Sequence, residues 1–277
     1  MTRSPLSRFV GRVAGAFGRR SGVAPGMGLF AELPGEGQGG GPIWAVGDVH
    51  GCLSLYREIE DRIAAEARAT GLVQRVVLLG DVIDRGPEVR GVLGHLMSAP
   101  PDGILRACLL GNHEDMLLRF LARPREYRAW LSFGGWPTLG SYGIVPDPGG
   151  GAPDVARLAA NLKAAMGAET IAFLKALPPG LLSGPFVLAH AGVAPQTPLA
   201  RQTRADLIWT RHGEIGDLLP PPDLGERIVV HGHTPVEEPV REGWRINIDT
   251  GAFATGRLTA VRLVPGEPPR FLTTGAP

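Results

Sequence analysis

Between residues 43 and 121 three short apolar runs alternate with three stretches of helical periodicity, and this pattern constrains the chain most. "IWAVG" (43–47), "RVVLLG" (75–80) and "ILRACLLG" (104–111) read as strands. "LSLYREIEDRIAAEARAT" (53–70), with Leu55, Ile59 and Ile63 in step, reads as a helix, as do a stretch from about Glu88 to Met97 and "HEDMLLRFL" (113–121). Such alternation predicts a layered α/β domain with parallel strands. Beyond two helical stretches at roughly 154–166 and 168–177 the pattern turns to strands: "FVLAHAG" (186–192), "RIVVHGHT" (227–234), "WRINIDTG" (244–251) and "GRLTAVRL" (256–263). These make a second sheet facing the first.

Five of the strands end in the same way, with a glycine beside acidic, histidine or asparagine side chains. The segments are "GDVHG" (47–51), "GDVIDRG" (80–86), "GNHE" (111–114), "HAG" (190–192) and "HGHT" (231–234). Ligands of open α/β sheets bind outside the carboxyl ends of the strands, so all five can meet at one rim. One such segment is an ordinary turn. Five of them, each closing an apolar strand, point to a shared site for cations.

The residue types fit two metals. Asp48 and His50 can reach one cation from a single turn. Asp81 can bridge two, because its two oxygens neutralise charge between metals about 3.5–4 Å apart. Asn112, His190 and His233 complete the second site. Oxygen and imidazole ligands together suit Mn²⁺ first, with Fe²⁺ or Zn²⁺ as alternatives.

The set "GDVHG … GDVIDRG … GNHE … HAG … HGHTP", with "LIWTR" (207–211) and "IDTGA" (248–252), resembles the phosphoprotein phosphatase family of metallophosphoesterases, in its bacterial and phage branch. The likeness runs from about Ile43 to Leu263. It implies a calcineurin-like α/β fold, a four-layer αββα sandwich with two mixed sheets. It also implies two divalent cations, held by Asp48, His50 and bridging Asp81 and by Asp81, Asn112, His190 and His233. His113 resembles the general acid, with Asp84 orienting it, and Arg85 and Arg211 resemble the pair that grips phosphate. His231 is a rival to His233, but the family pattern places the ligand directly before Thr-Pro. The implied activity is hydrolysis of phosphoserine and phosphothreonine, extending to phosphotyrosine, by a hydroxide between the two metals. The symmetrical diadenosine tetraphosphatases share nearly all these motifs and supply the alternative reading. A silent phosphate-binding scaffold would instead require a lost ligand, acid or arginine.

Composition excludes other classes. No Gly-Lys-Ser/Thr loop for nucleotide triphosphates is present, and neither Cys52 nor Cys108 stands six residues before an arginine, as a thiolate phosphatase would need. The net charge of +1 predicts no nucleic-acid partner, and no run approaches the roughly 20 apolar residues of a membrane span, so no stable insertion is expected. Two cysteines make no disulfide framework, which fits the cytoplasm. The expected partner is a phosphorylated protein or a small phosphate ester or nucleotide. Residues 1–41 read as a flexible basic, glycine-rich tail and 42–277 as the catalytic domain. Within "WLSFGGWPTLGSYG" (130–143), Trp130 and Trp136 read as packing residues at the edge of the site.

Overall fold

The computed structural model describes residues 28–33, 41–145, 153–211 and 219–275. In chain order the first half holds β1 (Phe30–Glu32), β2 (Ile43–Val46), α1 (Leu53–Thr70), β3 (Gln74–Leu78), α2 (Val89–Met97), β4 (Ile104–Cys108) and α3 (Asn112–Ala122). A short 3₁₀ turn (Arg128–Phe133) leads to α4 (Gly135–Ser141) and α5 (Val155–Ala176). The second half holds β5 (Gly180–Ser183), β6 (Phe186–Ala189), α6 (Arg204–Trp209), β7 (Ile228–His231), β8 (Val240–Glu242) and β9 (Arg245–Asn247). It closes with α7 (Ala252–Thr255), β10 (Leu258–Leu263) and β11 (Arg270–Thr274).

The apolar runs are unbroken because the strands are buried on both faces. Ile43 and Ala45 of β2 and Val77 of β3 meet Leu181, Leu188, Val230 and Ile246 in a core between two sheets. The alternate residues Trp44, Val46, Val76 and Leu78 point the other way, into a core shared with Ile59 and Ile63 of α1. One sheet runs β11-β10-β2-β3-β4 and the other β1-β5-β6-β7-β9-β8. Both are mixed: β2, β3 and β4 are parallel, as are β6, β7 and β9, while β10 runs antiparallel to β2 and β11, and β5 antiparallel to β6. Helix α1 covers the first sheet at β3, β10 and β11, and Leu207 of α6 lies against Gly180 on the second. The fold is an α/β sandwich of two mixed sheets, as expected, but "GRLTAVRL", expected in the second sheet, forms β10 and pairs with β2 in the first.

Local signals set the element ends. Helix α1 stops where Gly71 adopts φ 68° and returns its N–H to the Ala67 carbonyl. Asp154 caps α5 by accepting from the N–H groups of Ala156 and Arg157, and Gly167 at φ 76° breaks that helix into the two pieces expected.

One boundary differs. Residues 30–32, assigned from the sequence to the tail, form the edge strand β1, paired in parallel with β5. Phe30 and Leu33 are buried, and Gly180 leaves room for the Phe30 ring against β5. The rest of the tail expected at 1–41, residues 1–27 and 34–40, lies outside the described residues. Phe30→Ala is expected to lower stability by about 3 kcal/mol, read as a shift of the urea midpoint, because a buried aromatic leaves a cavity that the edge cannot close. A variant as stable as the parent would show that β1 contributes nothing.

Candidate metal centre

Each sheet contributes one parallel triplet, and the carboxyl ends of both triplets meet at a single rim. From β2, β3 and β4 come Asp48 and His50, then Asp81, Asp84 and Arg85, then Asn112 and His113. From β6, β7 and β9 come His190, His233 and Asp249. The backbone here is strained. His50, Asp81, Asp84, Arg85 and His233 all have positive φ, between 42° and 67°, and only Gln196 joins them among described non-glycine residues. Such conformations cost on the order of 1–3 kcal/mol each and persist where the surroundings impose them. Two glycines are needed for space: a Cβ on Gly111 would strike the Asp81 carboxylate, and one on Gly232 would strike that of Asp48.

Asp81 belongs to two groups of ligand atoms. His50, Asp81 and His113 bring one atom each within 4.8 Å of one another, and so do Asp81, His190 and His233. Oδ2 of Asp81 lies 3.6 Å from His50 Nε2, 3.8 Å from His113 Nε2 and 3.4 Å from His190 Nε2. Asp48 stands between the groups, 3.9 Å from both His50 and His190. Asn112 Oδ1 is 2.8 Å and His233 Nδ1 3.2 Å from His190 Nε2. All six side chains expected from the sequence are therefore together. His113, expected only as an acid, also borders the first group. His231 is buried in β7 with Nδ1 turned to the Gly232 carbonyl, outside both groups.

The electrostatics follow from burying carboxylates among imidazoles. Burial raises Asp81, but the His190, His113 and His50 rings outweigh it and hold the carboxyl well below the usual range. Burial and the charges of Asp249 and Asp81 push Asp48 well up. Burial drives His50 to about 3, and burial with the charge of His190 drives His233 to about 3, so both stay neutral at pH 7. His190 goes the other way: burial lowers it, but Asp81 and Asp48 carry it to about 9. The residues fit a pair of divalent cations on two counts. His190 Nδ1 and His233 Nε2 are buried without a hydrogen-bond partner, and the donors are carboxylate, imidazole and amide oxygen.

Beside the cluster, His113 Nδ1 is 2.7 Å from Asp84 Oδ2 and its Nε2 is 3.1 Å from Arg85 Nη2. Burial lowers the His113 pKa, but Asp81 and Asp84 overcome it and raise it. Asp84 is fixed in turn by Trp130, whose Nε1 donates across 2.7 Å, and by the Thr138 hydroxyl. Arg211 is exposed, and its charge is among those that lower His233. Sequence reasoning gave no role to Glu114, although "GNHE" displays it, nor to Asp249 in "IDTGA". Trp130 is a packing residue, against Phe120, yet its indole N–H also reaches the site.

The calcineurin-like phosphoesterase model matches residues 41–247, most of the chain. The chain is a calcineurin-like phosphoesterase. It is 30% identical over 233 residues to serine/threonine-protein phosphatase 1 of Salmonella typhimurium, covering 80% of this chain and 91% of that protein. It is 27% identical over 241 residues to the asymmetrical bis(5'-nucleosyl)-tetraphosphatase PrpE of Geobacillus thermodenitrificans, covering 78% and 88%. A protein serine/threonine phosphatase structure from Saccharomyces cerevisiae shares the fold, with TM-score 0.57 and 15% identity over 98% of this chain and 89% of that one.

His190 must shed its proton to ligate, so metal uptake by this phosphoesterase at pH 7 is expected to release protons and to tighten as pH rises toward about 9. Calorimetry in buffers of different ionisation enthalpy checks this, and a buffer-independent heat would contradict it. Asp81→Asn is expected to lose bound metal and turnover together. His113→Asn is expected to keep its metal and lose turnover by about 100-fold or more, as removal of a general acid does. Equal metal content in wild type and the Asp81 variant would remove the shared-ligand assignment.

Proposed function

We propose that the protein hydrolyses phosphomonoesters of protein side chains, phosphoserine and phosphothreonine and by extension phosphotyrosine, in a site holding two divalent cations. The observation that carries this reading is the Asp81 carboxylate shared by two ligand groups, with a supported His113 beside it. Asp48, His50 and Asp81 would hold one cation, and Asp81, Asn112, His190 and His233 the other, Mn²⁺ first with Fe²⁺ or Zn²⁺ as alternatives. Bound there, the cations supply Lewis acidity and a water whose pKa is lowered to about 7.

The chain's own groups do the rest. Arg85 and Arg211 grip the phosphate oxygens and spread their negative charge. Asp84 holds the His113 ring by accepting from Nδ1–H, and Nε2 accepts from Arg85, so Nε2 would take up the proton it passes to the departing ester oxygen once Arg85 turns to the phosphate. The raised pKa of His113 keeps that proton available near neutrality. The scaffold reading would need a missing ligand, acid or arginine, and every one of them is present. Among the described residues no helix is long and apolar enough to cross a membrane. Cys52 and Cys108 are free thiols, which suits a cytoplasmic setting.

A second reading, cleavage of dinucleoside tetraphosphates, is supported by the PrpE relatives and by Trp209. That ring is 37% exposed and lies 6.3 Å from the His233 ring, where a nucleobase could stack. The symmetrical cleavage considered from the sequence stands here beside the asymmetrical one in the relatives' name.

With Mn²⁺ loaded, the enzyme is expected to cleave phosphoserine and phosphothreonine peptides and p-nitrophenyl phosphate, and chelator should abolish turnover. A side-by-side screen with diadenosine tetraphosphate decides between the readings. Efficient cleavage of the dinucleotide with phosphopeptides left intact would overturn the first.

A further inference from the structure

Phe253 is 41% exposed, yet it touches two residues of the centre. Its ring meets the His50 ring edge-on at 5.4 Å, and the Arg85 guanidinium lies over it, 4.7 Å from the centroid. The same Arg85 reaches His113 Nε2, and the His50 and His113 rings are 4.8 Å apart. Phe253 thus stands beside the proposed proton donor, on the His50 flank, whereas Trp209 stands on the His233 flank.

The leaving oxygen must come to His113 Nε2. When the ester is an aryl one, an aromatic ring begins one bond from that oxygen and meets the Arg85–Phe253 stack. A seryl or threonyl ester brings only aliphatic carbon there. We infer that Phe253 is a specificity-determining residue, the wall of a leaving-group subsite that admits aryl phosphomonoesters, the phosphotyrosyl side chain, alongside alkyl ones. The inference rests on the phosphomonoesterase reading and on His113 as the proton donor. Arg85 serves both substrate classes through the phosphate, so only the aryl class gains from the ring. Aromatic contacts of this kind are worth about two- to tenfold beyond the area they bury.

The test uses the full chain loaded with Mn²⁺ and two matched pairs of compounds. The first pair is a phosphotyrosyl and a phosphoseryl peptide of otherwise identical sequence, compared by kcat/KM. The second is benzylphosphonate and propylphosphonate, non-hydrolysable, compared by calorimetric Kd. In Phe253→Ala the aryl-to-alkyl ratio is expected to fall by about fivefold in both measurements, and Phe253→Leu, which keeps apolar volume without a π face, should fall similarly. Trp209→Leu should leave the ratio in place. Ratios unmoved in the Phe253 variants, both substrates falling together, or a ratio moved by Trp209 and not by Phe253 would each overturn the inference. A wild type that binds benzylphosphonate through Phe253 but turns over neither peptide would support the subsite and sink the phosphomonoesterase reading instead.

Discussion

The site takes its shape from a carboxylate that offers nothing to a cation. Glu114 is fully buried, and its two oxygens accept four backbone N–H groups, from Gly111, Asp81, Val82 and Ile83. Three of these amides belong to the loop that holds Asp81 in a left-handed conformation, and the fourth, of Gly111, lies at the start of α3. Each would cost about 1–3 kcal/mol if left buried and unpaired, so the loop keeps its strain because Glu114 satisfies it. Asp81 Oδ1 returns a bond by accepting from the His113 N–H, which locks the loop to the start of α3. Burial and the nearby Asp81 charge push Glu114 up to about 7, which shows how electrostatically costly the arrangement is.

Around this lock the groups that act are held at one remove. Asp84 faces His113, but its position is set by Trp130 and Thr138 from the segment 130–143. Buried Asp115, the next residue along α3, binds Arg204 at the start of α6, the short helix that runs toward Trp209 and Arg211. The geometry of the rim is therefore carried by contacts between elements far apart in the chain.

That division explains what could be read in advance. The strands β2, β3, β6 and β7 were legible because two-sided burial writes continuous apolar runs, and α1 because its periodicity ends at a glycine. The clustering of the six proposed ligand positions was legible because each sits in a short motif closing such a strand. The strand β1 was not, since three residues of edge pairing carry no period, and Phe30 reads as one apolar residue in a glycine-rich stretch. Glu114 and Thr138 went unassigned for another reason. Their roles lie in partners 31 to 54 residues away, which no local pattern records.

The placement of the centre on the seam between two sheets has a thermodynamic consequence. Asp48, His50 and Asp81 are all delivered by one layer, whereas the second proposed set joins Asp81 and Asn112 of that layer to His190 and His233 of the other. A cation held by that second set would act as a reversible cross-link whose strength is set by its free concentration. The cohesion of the β-sandwich would thereby be coupled to the divalent-ion supply through mass action.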